Sequence, residues 1–573
     1  MLFYIVMNNH GELNFSPVPA VDKLLKGAVR YLSPGLPLEF LERYFGKEDN
    51  SSENHIRQEI ILALKKDGSV ITGQPKWLDI DGNSPYYEDC LKTLKEKDML
   101  PRLLIMTKGR QLSEGECSLL AKALGLSSIE VLIILHKAVV LKNGEWVPCL
   151  YRGKNTWRCE RCGDDHCEVW PSQYGDTATC LGCKSIGALT SLQVLFRQKL
   201  QAENTILTVD LVKEDWPGLD WQFTNAQSHA AQELMNYSRS REVNETLVWA
   251  ACGAGKTEIT FPLIREYLQE GKSVLFAAPR QDVVHDIQPR LQRHFSPYKV
   301  KILSGAVQPD WAGSLLTVAT THQVLRFYRS FHLVIFDEID AYPYAGNKVL
   351  EYGMRKATKE NGKIIYLTAT PSNVILEKVA RQECRLIRLP ARFHGYLVPV
   401  PEILKIKLQA NVSGQDLLRH NSLSAICEAL RELALIGQLI VFVPTVALVT
   451  EWVKVLKLIL RDKKIEGSWS SDPERKRKVS AFSSGNCDIL VCTSILERGV
   501  TIHGVQVAVL YADHKLYDVR SLVQMAGRTG RTAACPSGRT IFLARSKTRA
   551  MKTAINWINE QNTLAISGGF IHG

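Results

Sequence analysis

Eight residues, Ala250-Ala251-Cys252-Gly253-Ala254-Gly255-Lys256-Thr257, constrain the fold of this chain more than any other string. They follow the apolar run Thr246-Leu247-Val248-Trp249 and precede a helical pattern. A glycine-rich turn between strand and helix aims free backbone N–H groups and the positive end of the helix dipole at a phosphate. Such a turn belongs to a buried strand of an α/β sheet. Gly253, Ala254, Gly255, Lys256 and Thr257 are the expected phosphate-binding residues. Lys256 would reach the β- and γ-phosphates of ATP, and the Thr257 hydroxyl would ligate Mg²⁺.

Three further strings follow in order. Asp337-Glu338-Ile339-Asp340 comes straight after Leu333-Val334-Ile335-Phe336, at the carboxyl end of a buried strand, where ligands bind in such sheets. Asp337 is expected to hold the magnesium, and Glu338 to orient and deprotonate an attacking water. An acidic loop after a strand accounts for either acid alone, but not for the pair downstream of a phosphate loop. Thr368-Ala369-Thr370 reads as a coupling element. Gln524-Met525-Ala526-Gly527-Arg528-Thr529-Gly530-Arg531 offers Arg528 and Arg531, expected on one side of a helical turn. From a second domain they would reach the γ-phosphate only when the two domains close.

Apolar runs without polar alternation recur around these strings, as strands covered on both faces require. Ser273-Val274-Leu275-Phe276-Ala277, Leu315-Leu316-Thr317-Val318-Ala319 and Lys363-Ile364-Ile365-Tyr366-Leu367 accompany the first two strings. After Pro390, Gly395, Pro399 and Pro401, which mark a linker, come runs at 438–443, 487–492, 505–510 and 539–543. Two similar α/β domains in tandem are expected, at residues 201–395 and 396–573. Three or four domains suit 573 residues.

Ahead of them, Cys159-Glu160-Arg161-Cys162 and Cys180-Leu181-Gly182-Cys183 are two C-x2-C pairs at the spacing of a tetrahedral zinc ribbon. Gly163 and Gly182 are expected to supply permissive backbone to the two knuckles. A closed four-thiolate site holds Zn²⁺ to stabilise a module and leaves no position for catalysis. His166 and Cys167 are further candidate ligands, either of which could replace one of the four. The remaining cysteines, such as Cys252, Cys427 and Cys492, read as small buried hydrophobes.

Residues 111–200 are expected to hold a helical pair around Leu124-Gly125-Leu126-Ser127-Ser128, capped at Ser127 or Ser128, and then a hairpin about Asn143-Gly144. The pair reads as plain helix packing in preference to a DNA-binding helix-turn-helix. Residues 1–110 carry weak helical signals and no legible chemistry.

Seventy-one Lys and Arg against 59 Asp and Glu leave a net charge of +12. That excess suits a polyanionic partner, although solubility explains it equally well; the motifs decide for nucleic acid. The basic stretch Arg475-Lys476-Arg477-Lys478 fits either phosphate contact or a solvated helix face. Residues 1–10 lack the basic start and apolar run of a signal peptide, and residues 131–141 are too short and too polar to span a bilayer, so a cytoplasmic location is expected.

The motor strings resemble those of superfamily 2 helicases from about Leu207 to Gly573. In that group A-x-x-G-x-G-K-T, with Ala250 in first position, is a common form of the phosphate loop. The resemblance includes Phe223-Thr224-Asn225-Ala226-Gln227, similar to an adenine-sensing Q motif, and implies two RecA-like helicase domains. It also assigns nucleic-acid backbone contacts to Arg280, Thr321, Thr445 and Thr493, within Ala278-Pro279-Arg280, Ala319-Thr320-Thr321-His322-Gln323, Val443-Pro444-Thr445 and Cys492-Thr493-Ser494. A four-cysteine module before the motor, Asp337-Glu338-Ile339-Asp340-Ala341-Tyr342-Pro343 and Ile495-Leu496-Glu497-Arg498-Gly499-Val500-Thr501 together resemble the ComFA family of DNA-uptake ATPases. That resemblance implies a translocase on incoming single-stranded DNA at the inner face of the cell membrane, with a ComEC-type channel and a ComFC-like partner. A homo-oligomer stays open. The rival readings are a PriA-like replication-restart helicase, which carries its cysteine clusters inside the second motor domain, and a zinc-containing DNA-binding scaffold with an inactive motor.

Overall fold

Each apolar run expected as a buried strand forms one. The structure is a computed structural model that describes all residues except 46–51, 71–73, 97–98, 155, 200–221, 306–310, 312, 345, 408–419, 421, 494–503 and 573. The string 495–501 therefore lies outside the described residues. The chain divides into two compact units, residues 1–214, 267–334 and 342–363 in one and residues 215–266, 335–341 and 364–573 in the other.

In the first unit, Val274–Ala278 and Val300–Leu303 pair in parallel with Leu316–Thr320. Every residue of Val274–Ala278 and Leu316–Thr320 is buried, as β-branched and apolar strands covered on both faces must be. In the second unit Glu245–Ala250 lies between Thr358–Thr368 and Arg385–Leu389, again in parallel. Parallel strands of this kind, buried and set before helices, are those of a RecA-like domain.

The second RecA-like domain is a six-stranded, all-parallel sheet inside the second unit. Its strands run in the order Glu402–Lys405, Thr540–Ala544, Gln506–Leu510, Leu439–Phe442, Ile489–Cys492 and Ile465–Ser468. Trp452, Leu456 and Val449 from the helix Val446–Ile459 pack on it.

The N-terminal residues, mute as sequence, hold an antiparallel four-stranded sheet in the order Leu13–Ser16, Tyr4–Asn8, Ala28–Ser33 and Lys76–Asp79. The helical pair behind it is Glu114–Leu124 and Ser128–Val140, and Ser127 forms a capping box with Glu130. Val131, Ile134, Leu135 and Ala138 of the second helix are in the hydrophobic core, so this is helix packing. The expected hairpin does not form. Its first arm is the end of the helix, which closes through Lys142 in the left-handed region, with Asn143 N–H donating to the Ala138 carbonyl. Gly144 instead starts a strand, Gly144–Pro148, where a Cβ would lie 2.6 Å from the Phe196 ring.

Within the first unit, the cysteine module is tied to motor-domain elements. Glu160 takes Lys356 at 2.7 Å and Arg197 at 2.9 Å. The Arg197 guanidinium stacks on Tyr328 at 4.2 Å, and Arg326 pairs with Glu116. Of the basic stretch, Arg477 pairs with Glu474 at 3.1 Å on an exposed helix face, whereas Lys478 turns inward to the buried Asp472 at 2.9 Å. Among the described residues, no single helix is long and apolar enough to cross a membrane.

Candidate nucleotide and metal sites

The strand Glu245–Ala250 ends in the phosphate loop, whose Gly253 and Gly255 have φ of +80° and +77°. Side chains are disfavoured there, and a Cβ on Gly255 would also lie 2.4 Å from the Gln227 amide nitrogen. Gln227 sits in the first turn of the helix Asn225–Arg239 and is buried. Its Nε2 donates to the Ala254 carbonyl at 3.0 Å, and its Oε1 accepts from Thr224 N–H at 3.1 Å. Both ends of the amide thus brace the phosphate loop on its own helix. A 3-10 turn, Glu258–Thr260, precedes the expected helix Phe261–Gln269.

Phe331–Asp337 delivers the acids. Asp337 holds the Lys256 ammonium at 2.6 Å through Oδ1, and its Oδ2 accepts from the Thr257 hydroxyl at 3.4 Å. Burial opposes the Lys256 charge, but Asp337, with Glu338 and Asp340 behind it, raises the ammonium above its ordinary value. Thr257 and Asp337 thus stand side by side as the hard oxygen donors that Mg²⁺ prefers, and they fit that ion.

Glu338 has φ of +57°, a left-handed backbone that a non-glycine residue adopts at a cost of order 1 kcal/mol or more. Its N–H is held by the Leu367 carbonyl at 3.0 Å and by Asp337 Oδ1 at 2.9 Å. Asp340 is buried between two threonines of the third string. The Thr368 hydroxyl donates to its Oδ1 at 2.7 Å, and the Thr370 hydroxyl donates to its Oδ2. The acidic string and the coupling string are therefore one hydrogen-bonded unit.

The arginine string arrives from the second sheet. The helix Val519–Ala526 stops before the arginines, and residues 527–530 form a turn closed by Gly530 at φ +62°, so Arg528 and Arg531 are not on a helical face. Gly527 permits the approach: a Cβ there would lie 2.4 Å from that of Cys252 in the phosphate loop. Around Gly253 the nearest side-chain atom to an added Cβ is Arg531 Cγ, at 3.5 Å. Arg528 is 6% exposed. Cys252 is half-buried in the loop itself, more accessible than the buried Cys427 and Cys492.

Arg392, which no sequence pattern singled out, lies among these groups. It is fully buried, and its Nε donates to the Cys252 carbonyl at 3.0 Å and its Nη1 to the Thr529 carbonyl at 2.7 Å. Two more bonds reach the Gly530 and Gly527 carbonyls. His394 meets the Gly530 carbonyl at 3.0 Å. Nothing local in the sequence marks Arg392, because its acceptors are backbone carbonyls about 140 residues distant on either side.

The residues assigned to nucleic acid all lie at carboxyl ends of strands. In the first unit Arg280 and Thr321 follow Val274–Ala278 and Leu316–Thr320, which pair with Ala278 opposite Thr320. Arg280 carries an ion pair to Asp282, and Thr321 is buried with a hydroxyl that has no partner among the described residues. In the second unit Thr445 and Thr493 follow Leu439–Phe442 and Ile489–Cys492, which pair with Phe442 opposite Cys492. The Thr445 hydroxyl caps the helix Val446–Ile459.

In the cysteine module Cys159, Cys162, Cys180 and Cys183 are buried with all four sulfurs within 4.8 Å of one another. Four converging thiols are the donor set of a structural Zn²⁺ site, and they fit that ion. His166 and Cys167 stand outside the cluster: His166 faces Asp164 and Asp165 in the open, and the Cys167 thiol points to the Trp157 carbonyl at 3.8 Å. Gly163 has φ of +72°, as expected, whereas Gly182 is needed for space, since a Cβ would meet Asp164 at 2.4 Å. Buried Arg161 donates from Nε to Cys183 Sγ at 3.2 Å. Hydrogen bonds from Cys159, Cys162 and Cys180, with Arg161 beside them, draw Cys183 towards the thiolate. Arg161 thus offsets the excess negative charge that four thiolates bring to a divalent ion.

Residues 220–373 match the family model described as "Type III restriction enzyme, res subunit", and residues 421–533 match "Helicase conserved C-terminal domain". Competence protein ComFA of Bacillus subtilis (strain 168) is 33% identical over 422 residues, 72% of this chain and 87% of that protein. Its counterpart in Streptococcus pneumoniae is 32% identical over 421 residues, 73% of this chain and 93% of that protein. The chain belongs to the ComFA family of competence proteins. Replication restart protein PriA of Rickettsia conorii is 26% identical over 186 residues, only 29% of this chain. This ComFA-family chain is thus an ATP-hydrolysing enzyme of the superfamily 2 helicases, built on two RecA-like domains.

Zinc analysis checks the cysteine cluster. Wild-type protein should carry about one zinc per chain, and Cys159→Ser or Cys180→Ser should lose it and loosen the module, because about 10 to 16 kcal/mol of metal binding is folding energy in comparable sites. Equal zinc content in wild type and both variants would refute the ligand assignment.

Proposed function

We propose that this ComFA-family chain is an ATP-driven translocase on single-stranded DNA that draws DNA into the cytosol during natural transformation. The observation that carries the motor part of this reading is the gathering of Lys256, Thr257, Asp337, Glu338 and Arg531 around one phosphate loop.

In this reading Lys256 neutralises the β- and γ-phosphates while the loop N–H groups cradle them, and Gln227 keeps that loop in shape beside the adenine. Thr257 and Asp337 would hold Mg²⁺, which when bound would offset phosphate charge. Glu338, set by its left-handed backbone, orients a water in line with the γ-phosphate and takes its proton. Arg528 and Arg531 stabilise charge developing on the transferred group, a contribution worth about 10³ to 10⁵ in rate in related systems. Asp340, clamped by Thr368 and Thr370, passes the state of the acidic string to the coupling string.

Arg280, Thr321, Thr445 and Thr493 are assigned to the DNA backbone. Support comes from their places at strand ends and from the unpartnered Thr321 hydroxyl. Backbone contacts carry little sequence information, so the strand would be gripped regardless of sequence. A ComEC-type channel and a ComFC-like protein are the proposed partners, and they would bring the chain to the inner face of the cell membrane. The domain limits of this account are residues 1–110, 111–200, 201–395 and 396–573. A replication-restart role has less support, since the PriA likeness reaches only 29% of the chain. An inactive scaffold is disfavoured because every motor side chain named above is present.

Two measurements test the proposal. Glu338→Gln should bind ATP as wild type does but turn over about 10² to 10⁴ times more slowly, whereas Lys256→Ala should lose ATP affinity itself. Wild-type rates in both would refute the site. Affinity for single strands should fall with salt at a log–log slope of about −0.7 for each phosphate contacted and vary little with sequence. A salt-independent affinity or one strongly favoured sequence would contradict the backbone grip.

A further inference from the structure

The linker after Arg385–Leu389 does more than join two domains. Over 391–395 it reaches both the phosphate loop and the arginine turn. On one side Arg392 Nε donates to the Cys252 carbonyl at 3.0 Å and Phe393 N–H donates to the Gly253 carbonyl at 3.4 Å. On the other, Arg392 binds the carbonyls of Gly527, Thr529 and Gly530, and His394 also meets Gly530. The carbonyls it gathers flank Arg528 and lead directly into Arg531.

Arg392 is a fully buried cation whose hydrogen-bond acceptors are all neutral carbonyls. Burial, with Arg531 close by, pushes its guanidinium down to about 10, so it is still charged at neutral pH. An unpaired buried cation is costly, and a chain concerned with stability alone would replace it by an apolar group. The cost is offset when a polyanion is bound nearby. The planar, five-donor fork of arginine reaches all four of these carbonyls on two separate segments, more acceptors than the three donors of a lysine could serve.

We propose that Arg392 is the positioning residue that sets Arg531 against the phosphate loop, fastening the arginine turn to Cys252 so that ATP meets an already assembled sensor. This rests on the ATPase reading above. Arg392 touches carbonyls and not the nucleotide, so its loss should act through Arg531 and leave ground-state binding by Lys256 in place.

A double-mutant cycle on the full-length chain tests it, with MgATP turnover measured beside binding of a fluorescent ATP analogue. Arg392→Gln should lower kcat about 10²-fold, the scale of a misplaced catalytic group, with analogue affinity changed by less than about threefold. Arg392→Lys, still charged but able to reach fewer carbonyls, should recover part of the rate. Arg531→Gln should be slower still, and adding Arg392→Gln to it should cost no more than about threefold further. Multiplicative losses in the double variant, or a raised KM with kcat intact, would overturn the proposal. If Arg392→Gln fails to fold, the same cycle run with Arg392→Lys decides in the same way. Lys256→Ala separates the two readings. If it turns over like wild type, the nucleotide site itself is wrong; if it is inactive while Arg392→Gln keeps full kcat, only the present inference fails.

Discussion

Lys256 and Asp337 face each other at 2.6 Å where, in this account, a triphosphate and its metal must bind. Neither charge is tolerable alone, since a buried ion without a partner is destabilising by several kcal/mol. Paired, they let the site exist before the nucleotide arrives, and each is then ready for its own ligand, the ammonium for phosphate and the carboxylate for Mg²⁺. The pair depends on the carboxyl ends of two buried strands, Glu245–Ala250 and Phe331–Asp337, with Thr358–Thr368 lying against the first of them. That placement is a property of parallel sheets with β-branched interiors, so the chemistry rests on the hydrophobic runs behind it.

Around this pair the second unit wires its neighbours through short polar links. Asp340 is shared by Thr368 and Thr370, Gln227 braces the loop from its own helix, and Gly527 gives up a side chain so that Cys252 can approach. Each link joins segments far apart in sequence, and each is a hydrogen bond or a close approach that a movement of a few tenths of an ångström would alter. Such contacts suit a machine in which nucleotide state must be felt by the elements that hold the strand. In the first unit, Arg161 and Glu160 serve the cysteine module on its two sides. Arg161 turns inward to Cys183, and Glu160 turns outward to Lys356 and Arg197.

The motor was legible because its chemistry is local. Phosphate loop, acids and arginines are contiguous strings, and continuous apolar runs such as Leu333-Val334-Ile335-Phe336 have no use in this context except as covered strands. The four cysteines were legible from spacing, which also left His166 and Cys167 in play until the sulfurs were seen to converge. Edge strands such as Ile465-Glu466-Gly467-Ser468 are short and partly polar and gave little signal. The Asn143-Gly144 hairpin failed because the apolar residues before it belonged to a helix, where runs of Val and Ile in a buried helix look like a strand. Arg392 was invisible for a different reason. Its partners are carbonyls, which every residue possesses, so only three-dimensional placement can reveal it.

The central claim is a motor that spends ATP on single-stranded DNA, and steady-state ATP hydrolysis with single-stranded DNA, duplex DNA and RNA side by side tests it most directly. The account predicts slow turnover alone, strong stimulation by single-stranded DNA of any sequence, and weaker stimulation by duplex or RNA. Hydrolysis that is absent under all conditions, or that ignores single-stranded DNA, would contradict it.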